Sequence, residues 1–361
     1  MSPRRRRIRP FGSSWPIRMS GKASRWKFMK RSWRLEMKRV IKPEGQFNIA
    51  IEEVPVPEPG LGEVRIKAVR SLISRGSEIG ARYTREHAVS PDIMGYSLAG
   101  VIDALGEGVD CWRVGDRVAA LAPHAEYVVC PAVLSSPEQQ PRVVALLPGI
   151  EFDAAPFWPL VSGAVAWVDI EEIEPNHTVV ILGQGLVGSL MLQVAKHNGR
   201  GRIIAVDAVA SRCALADELG ADAVVNAAVE NPISAVRKLT AGAGADIVVY
   251  AVGGPAGISV FDQGLDMLAV GGLLHLIGLY EDAPLPLSSG KIQRRKILGG
   301  YYGQGIGSGT AFRAMKLLQA GVIQTERMTT HRFAFAEAAQ AFDLLYNNMD
   351  EALGVLLDWQ Q

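Results

Sequence analysis

The stretch Val179-Val180-Ile181-Leu182-Gly183-Gln184-Gly185-Leu186-Val187-Gly188 decides how this chain is read. Four apolar residues run into glycines spaced GxGxxG, and a helical pattern, Gly188–His197, follows at once. Each glycine has its own task. Gly183 permits a tight turn, Gly185 lets the backbone approach a pyrophosphate, and Gly188 lets the helix pack close to the strand. The helix N-terminus, with the amides of Leu186 and Val187, offers free N–H groups and a positive dipole end to phosphates. The next apolar strand, Arg202–Val206, ends at Asp207, 24 residues after Gly183. That is near the spacing at which an acid accepts the two ribose hydroxyls of a dinucleotide. A carboxylate repels a 2′-phosphate, so the expected cofactor is NAD rather than NADP. Arg212 is positioned to flank the adenine or ribose.

Strand and helix patterns alternate on both sides of this motif, from about residue 163 to 305. Strands are expected at Ala223–Val224, Ile247–Ala251 and Gly272–Gly278, with helices at Arg212–Leu219, Ile233–Thr240 and Ile258–Met267. Such alternation predicts a parallel sheet covered by helices. Ligands bind beyond the carboxyl ends of strands in these sheets, so Val252, Gly253, Gly278 and Leu279 join the candidate cofactor residues. Residues 38–135 read differently, as short strands with turn punctuation. Pro55, Pro57, Pro59 and Gly60 break helices there, and a small, mostly β domain is expected. Helices at Thr310–Ala320 and Phe335–Asn347 lead to a last strand, Gly354–Asp358.

Composition narrows the function classes. The net charge of +1 hides an asymmetry: residues 1–36 hold 12 of the 38 Lys/Arg and a single acid, Glu36. The body is therefore acidic, which argues against a nucleic-acid surface there. The basic tail reads either as an arm for nucleic acid or membrane surfaces, or as an upstream stretch that is disordered or bypassed by starts at Met29 or Met37. The three cysteines, Cys111, Cys130 and Cys213, are widely spaced and suggest neither a disulfide framework nor a zinc knuckle. No secretory signal and no uninterrupted apolar span appear, so a cytoplasmic location is expected.

Three further landmarks accompany the fingerprint: Gly106-Glu107-Gly108-Val109, Val114-Gly115-Asp116-Arg117-Val118 and Thr330-His331-Arg332-Phe333. In that order, over residues 38–361, the chain resembles the medium-chain dehydrogenase/reductase superfamily. The resemblance implies an α/β fold: a GroES-like β domain over 37–162, completed by 306–361, and a doubly wound Rossmann domain over 163–305. It also implies an active site in the cleft between them, a small-molecule substrate and a homodimer. Ser74, Tyr96 and Trp158 stand where members with catalytic zinc carry their ligands. None of the three suits an ion that prefers thiolate and imidazole, so no zinc is expected. The stretches Ile73–Glu78, Gly95–Leu98 and Ala122–Tyr127 are similar to the subgroup around 3-hydroxyethyl bacteriochlorophyllide a dehydrogenase, which implies a hydroxyl/carbonyl couple.

Without zinc, a developing oxyanion needs hydrogen-bond donors. Ser74, Ser77, Tyr96 and His124 are the candidates that the resemblance brings to the cleft. Tyr96 would donate to a carbonyl oxygen, and His124, which titrates near neutral pH, would relay the proton. Each has a plainer reading: Tyr96 as cleft packing, His124 as a loop tie, Ser74 and Ser77 as turn residues. Glu78 is expected to pair with Arg75 or to cap a helix, and His275 to be a core residue. The expected activity is NAD-dependent interconversion of a secondary alcohol and a ketone. An NADPH-dependent enone or quinone reductase and a nucleotide-binding protein without turnover are the alternatives.

Overall fold

The computed structural model describes residues 35–199, 201–253, 256–278, 284–300 and 307–361. The basic tail up to Arg34, and Leu279 among the candidate cofactor residues, lie outside these. Strands β1 (Glu36–Ile41) and β2 (Ala50–Pro55) form an antiparallel ribbon. After them come β3 (Glu63–Leu72), β4 (Leu98–Leu105), β5 (Arg117–Ala120), β6 (Tyr127–Pro131) and β7 (Val143–Ala145), each antiparallel to its neighbours. Between β3 and β4, where strands and turns were expected, the chain forms a π-helical segment, Arg75–Tyr83. Its amide-to-carbonyl bonds begin at Ser74 O, which accepts from Ile79 N at 3.3 Å. The segment buries Glu78, Ile79 and Tyr83, and Tyr83 packs on Phe342 with ring centroids 5.7 Å apart. Wide helical turns of this kind recur at functional sites.

The second half alternates as expected. It runs α1 (Trp158–Ile170), β8 (Thr178–Leu182), α2 (Leu186–His197), β9 (Arg202–Asp207), α3 (Ala210–Glu218), β10 (Ala223–Asn226), α4 (Pro232–Leu239), β11 (Ala245–Tyr250), α5 (Gly257–Met267), β12 (Leu268–Leu276), α6 (Ser289–Ile292) and β13 (Lys296–Gly299). Among the described residues these strands make a wholly parallel sheet of order β10-β9-β8-β11-β12-β13. The order reverses between β8 and β11, which opens a crevice at their carboxyl ends. The glycine fingerprint leaves β8 at that point.

Then come α7 (Ser308–Gln319), α8 (Thr325–Met328), β14 (Thr329–Ala334), α9 (Ala338–Asn347) and β15 (Gly354–Asp358). β15 lies between β14 and β3, giving the order β14-β15-β3-β4-β5-β7, with β6 also paired to β3. The last strand of the chain therefore sits in one sheet with β3–β7. The architecture is the expected α/β pairing of a GroES-like β unit with a doubly wound parallel sheet.

One helix joins the two sheets. α1 is apolar on every face and buried from Trp158 to Val168, as a helix without a polar side must be. It packs with Leu72, Ala99 and Ala119 from the β unit and with Val179, Ile181, Leu190 and Ala314 from the dinucleotide side, in a single hydrophobic core. No helix of the described residues is long and apolar enough to cross a membrane.

Candidate functional site

The fingerprint loop has the geometry its glycines suggested. Gly183 has φ +89°, a left-handed conformation, and a Cβ there would lie 2.8 Å from Val252 Cγ2 and 3.0 Å from Ala251 O. A Cβ on Gly188 would lie 1.9 Å from Gly183 O, so α2 approaches β8 as only glycine permits. Gly185 is the N-cap of α2. No side chain caps it, and a Cβ there would meet nothing within 4 Å. The first-turn amides at Leu186 and Val187 have no intrahelical partners and border this open space. A dinucleotide pyrophosphate fits such a cradle. Gly278 packs on Val252, whose oxygen would be 2.3 Å from an added Cβ, and Gly253 follows Val252 in the chain. The ends of β8, β11 and β12 thus converge.

Asp207 ends β9 with both carboxylate oxygens engaged. Oδ2 accepts from Gln184 N at 2.6 Å and Oδ1 from Val209 N at 2.8 Å. The acid thereby clamps the fingerprint turn, a structural task the sequence did not suggest. Arg212 donates through Nη2 to Met349 O at 2.6 Å, and Ser211 Oγ donates to Asp350 O at 2.8 Å. These bonds tie the start of α3 to the turn before β15.

Sequence reasoning missed Arg75. Its guanidinium is half-buried and makes no hydrogen bond or ion pair with the described residues. Burial pushes its pKa down to about 10, aided by Arg212, while Asp207 acts in the opposite direction. It stays charged at neutral pH, a cation with spare donors facing the cofactor side. The signal was in the quoted stretch Ile73–Glu78, where an arginine opens the helical segment.

Ser74 and Tyr96 meet directly: Tyr96 Oη donates to Ser74 Oγ at 2.9 Å. Ser77 stands on another face of the π-helical segment. It lines a crevice of about 440 Å³ with Arg82, His87 and Ser90, which Ser74 and Tyr96 do not line. His124 is not at the cleft surface. It is fully buried in the β unit, with Ser71 Oγ 2.8 Å from Nδ1 and Glu78 Oε2 2.8 Å from Nε2. Both ring nitrogens are taken up by buried side chains, and neither meets Ser74, Ser77 or Tyr96. Glu78 pairs with His124 rather than with Arg75, and its other oxygen accepts from the amide of Ser74, the N-cap of the segment, in line with the capping alternative.

The positions that the resemblance equated with zinc ligands do not suit the metal. Ser74 and Tyr96 offer neutral hydroxyls already bonded to each other, and Trp158 is a core residue whose Nε1 donates to Ala311 O at 3.2 Å. Among the described residues no three of His, Cys, Asp or Glu come together as a metal site. His275 is buried as expected, with Nδ1 2.7 Å from Glu171 Oε1.

Two family models match the chain. One described as an alcohol dehydrogenase GroES-like domain matches residues 60–166, and one described as a zinc-binding dehydrogenase matches 187–320. The second match covers the dinucleotide sheet, away from Ser74 and Tyr96. L-threonine 3-dehydrogenase of Bacillus subtilis (strain 168) is 27% identical, over 86% of this chain and 95% of its own length. Sorbitol dehydrogenase of the same organism is 26% identical, over 86% and 94%. A short chain alcohol dehydrogenase from E. coli CFT073, solved in complex with NADH, superposes with a TM-score of 0.75 at 24% identity, over 90% of this chain and 99% of that one.

Proposed function

The chain belongs to the alcohol dehydrogenase-like medium-chain dehydrogenase/reductase superfamily of NAD(P)-dependent oxidoreductases, and on that footing we propose that it interconverts a secondary alcohol and a ketone with NAD(H) and without zinc. The observation that carries this reading is the Tyr96–Ser74 hydrogen bond, formed where a metal-dependent relative would hold its ion. A bound nicotinamide supplies or accepts the hydride. Ser74 accepts the Tyr96 hydrogen, which leaves its own hydroxyl hydrogen for a substrate oxygen. As that oxygen gains charge in ketone reduction, Ser74 gives up its proton and takes the one from Tyr96, which is half-exposed and re-protonated from water. Alcohol oxidation runs the same transfers backwards. Two neutral hydroxyls thus take over the task of a Lewis acid, and the substrate is a small molecule entering between the sheets.

Asp207 supports NAD over NADP through its charge, which repels a 2′-phosphate. A second reading draws on Arg75 and Arg212, which add positive charge beside Asp207 and favour an NADPH-dependent enone or quinone reductase. Titration of the full chain with NADH and with NADPH, followed by nicotinamide fluorescence, separates the two. Because Asp207 also holds the Gln184 amide, removing it weakens both cofactors, so the ratio of affinities is the informative quantity. Tighter NADH binding, with the ratio relaxed in Asp207→Asn and Asp207→Ala, supports the dehydrogenase. Equal or tighter NADPH binding by the unaltered protein sinks the Asp207 argument and puts the reductase first. We propose a homodimer on the same footing, formed by pairing of edge strands of two parallel sheets.

A further inference from the structure

Behind Ser74 and Tyr96 lies a polar chain sealed inside the β unit. Trp359 Nε1 donates to Ser71 Oγ at 2.8 Å. Ser71 Oγ meets His124 Nδ1, His124 Nε2 meets Glu78 Oε2, and Glu78 Oε1 accepts from Ser74 N at 2.8 Å. Ser71, Glu78 and His124 are all fully buried. Hydrogen counting fixes the imidazole. With Glu78 ionised, both of its oxygens accept, one from the Ser74 amide and the other from the ring, so Nε2 carries a hydrogen. Ser71 already accepts from Trp359 and has one hydrogen to give, which goes to Nδ1. A doubly protonated ring would leave that hydrogen without an acceptor among the described residues. The neutral Nε2–H tautomer uses every donor and acceptor once. The order serine–histidine–acid is that of a nucleophile set, but no reactant reaches Ser71 and its hydrogen is committed.

We propose that Glu78 and His124 are positioning residues that set the two hydroxyls of the Ser74–Tyr96 pair against each other. Glu78 holds Ser74 by its amide. His124 holds the other partner through the backbone beside it. Its own N–H donates to Met94 O at 2.7 Å. Gly95, at φ +101°, packs on His124: a Cβ there would lie 2.8 Å from the ring atoms Cγ and Cδ2 and from the backbone N. Tyr96 follows directly. One buried pair therefore fixes both ends of a hydrogen bond between residues 22 positions apart. The geometry stands by itself; its bearing on catalysis rests on the reading of Ser74 and Tyr96 given above.

Ring-nitrogen correlation spectra of the full chain, isotope-labelled at histidine and tyrosine, test this. His124 is identified by its contact with the Phe342 ring, which stands perpendicular at 6.3 Å. The unaltered protein is expected to show a neutral Nε2–H tautomer, and an Nδ1–H or doubly protonated ring would overturn the assignment before any variant is made. Glu78→Gln keeps the shape but turns an NH₂ group toward one neighbour. Either the His124 tautomer reverses or the Ser74 amide loses its acceptor, and in both cases the Tyr96 ring resonance, assigned with Tyr96→Phe, is expected to move. NADH affinity is expected to stay within about twofold, because the fingerprint loop is not part of the network. A Tyr96 resonance and Ser74 amide unchanged in Glu78→Gln would overturn the positioning role while leaving the proposed chemistry intact. Loss of that chemistry on other grounds would leave these spectra as they are.

Discussion

Tyr96→Phe removes the hydroxyl that re-supplies Ser74 and keeps the ring. With any secondary alcohol that the protein oxidises, kcat is expected to fall about 10²- to 10⁴-fold while the NADH dissociation constant holds. An unchanged kcat would take the proton transfer away from Tyr96. Arg75→Gln removes a half-buried cation that makes no hydrogen bond or ion pair with the described residues. NADH binding measured by fluorescence is expected to weaken about ten- to a hundredfold, the worth of a hydrogen bond to a charged phosphate. Full affinity in that variant would turn Arg75 away from the cofactor. The glycines and Asp207 were legible in the sequence because each answers to a local geometric demand. His124 was not: its surroundings are Ser71 of β3, Phe342 of α9 and, beyond Ser71, Trp359, all far from it in sequence, and no local pattern records that. The second task of Asp207, clamping the fingerprint turn, was hidden for the same reason.

The elements themselves were largely readable where period and punctuation agreed. β15 falls at its expected bounds, the helices of the parallel sheet shift by a residue or two at their ends, where fraying blurs any boundary, and β12 begins at Leu268 rather than at Gly272. The π-helical segment Arg75–Tyr83 was missed because three glycine or serine residues in it look like turn punctuation, and its stability comes from packing Tyr83 and Ile79 rather than from propensity. Contacts between elements also carry pH dependence. Burial alone would raise the Asp153 carboxyl, but hydrogen bonds from Arg332 Nε at 2.6 Å and Arg70 Nε at 2.8 Å outweigh it and hold the group below its ordinary range. A carboxyl depressed in the folded state adds stability above its unfolded value of about 4, and loses it as pH falls through the lower folded value. Asp153→Asn, which unties β3 and β14 from the turn before α1, is expected to lower Tm at pH 7 by roughly 1–3 °C. Scanning calorimetry down to about pH 3 should show the two proteins converging. A gap that stays constant with pH would remove the ion pairs as its cause.

The two sheets share one core through α1, so they are expected to unfold together. Calorimetry should give one transition for the described body, with calorimetric and van't Hoff enthalpies in agreement and Tm rising with added NADH. Trp158→Ala empties the middle of that core and is expected to destabilise both sheets by about 3–5 kcal/mol. Two separate transitions in the unaltered protein would show that α1 does not couple them. The arrangement of β15 also has a bearing on how the chain is made. Arg70 on β3 and Asp358 on β15, joined at 2.6 Å, lie 288 residues apart in sequence. On the ribosome β3 emerges early, β6 covers its Glu63–Lys67 stretch, and the Arg70–Leu72 end of that edge must wait until nearly the whole polypeptide has left the exit tunnel. The dinucleotide sheet, contiguous in sequence, closes first and holds the nascent β unit beside it, so the order of translation is the reverse of the order of maturation. A stall or premature stop anywhere after β13 would release a chain with a finished cofactor cradle and an open, adhesive strand edge, a substrate for the cell's quality control rather than a partly active enzyme.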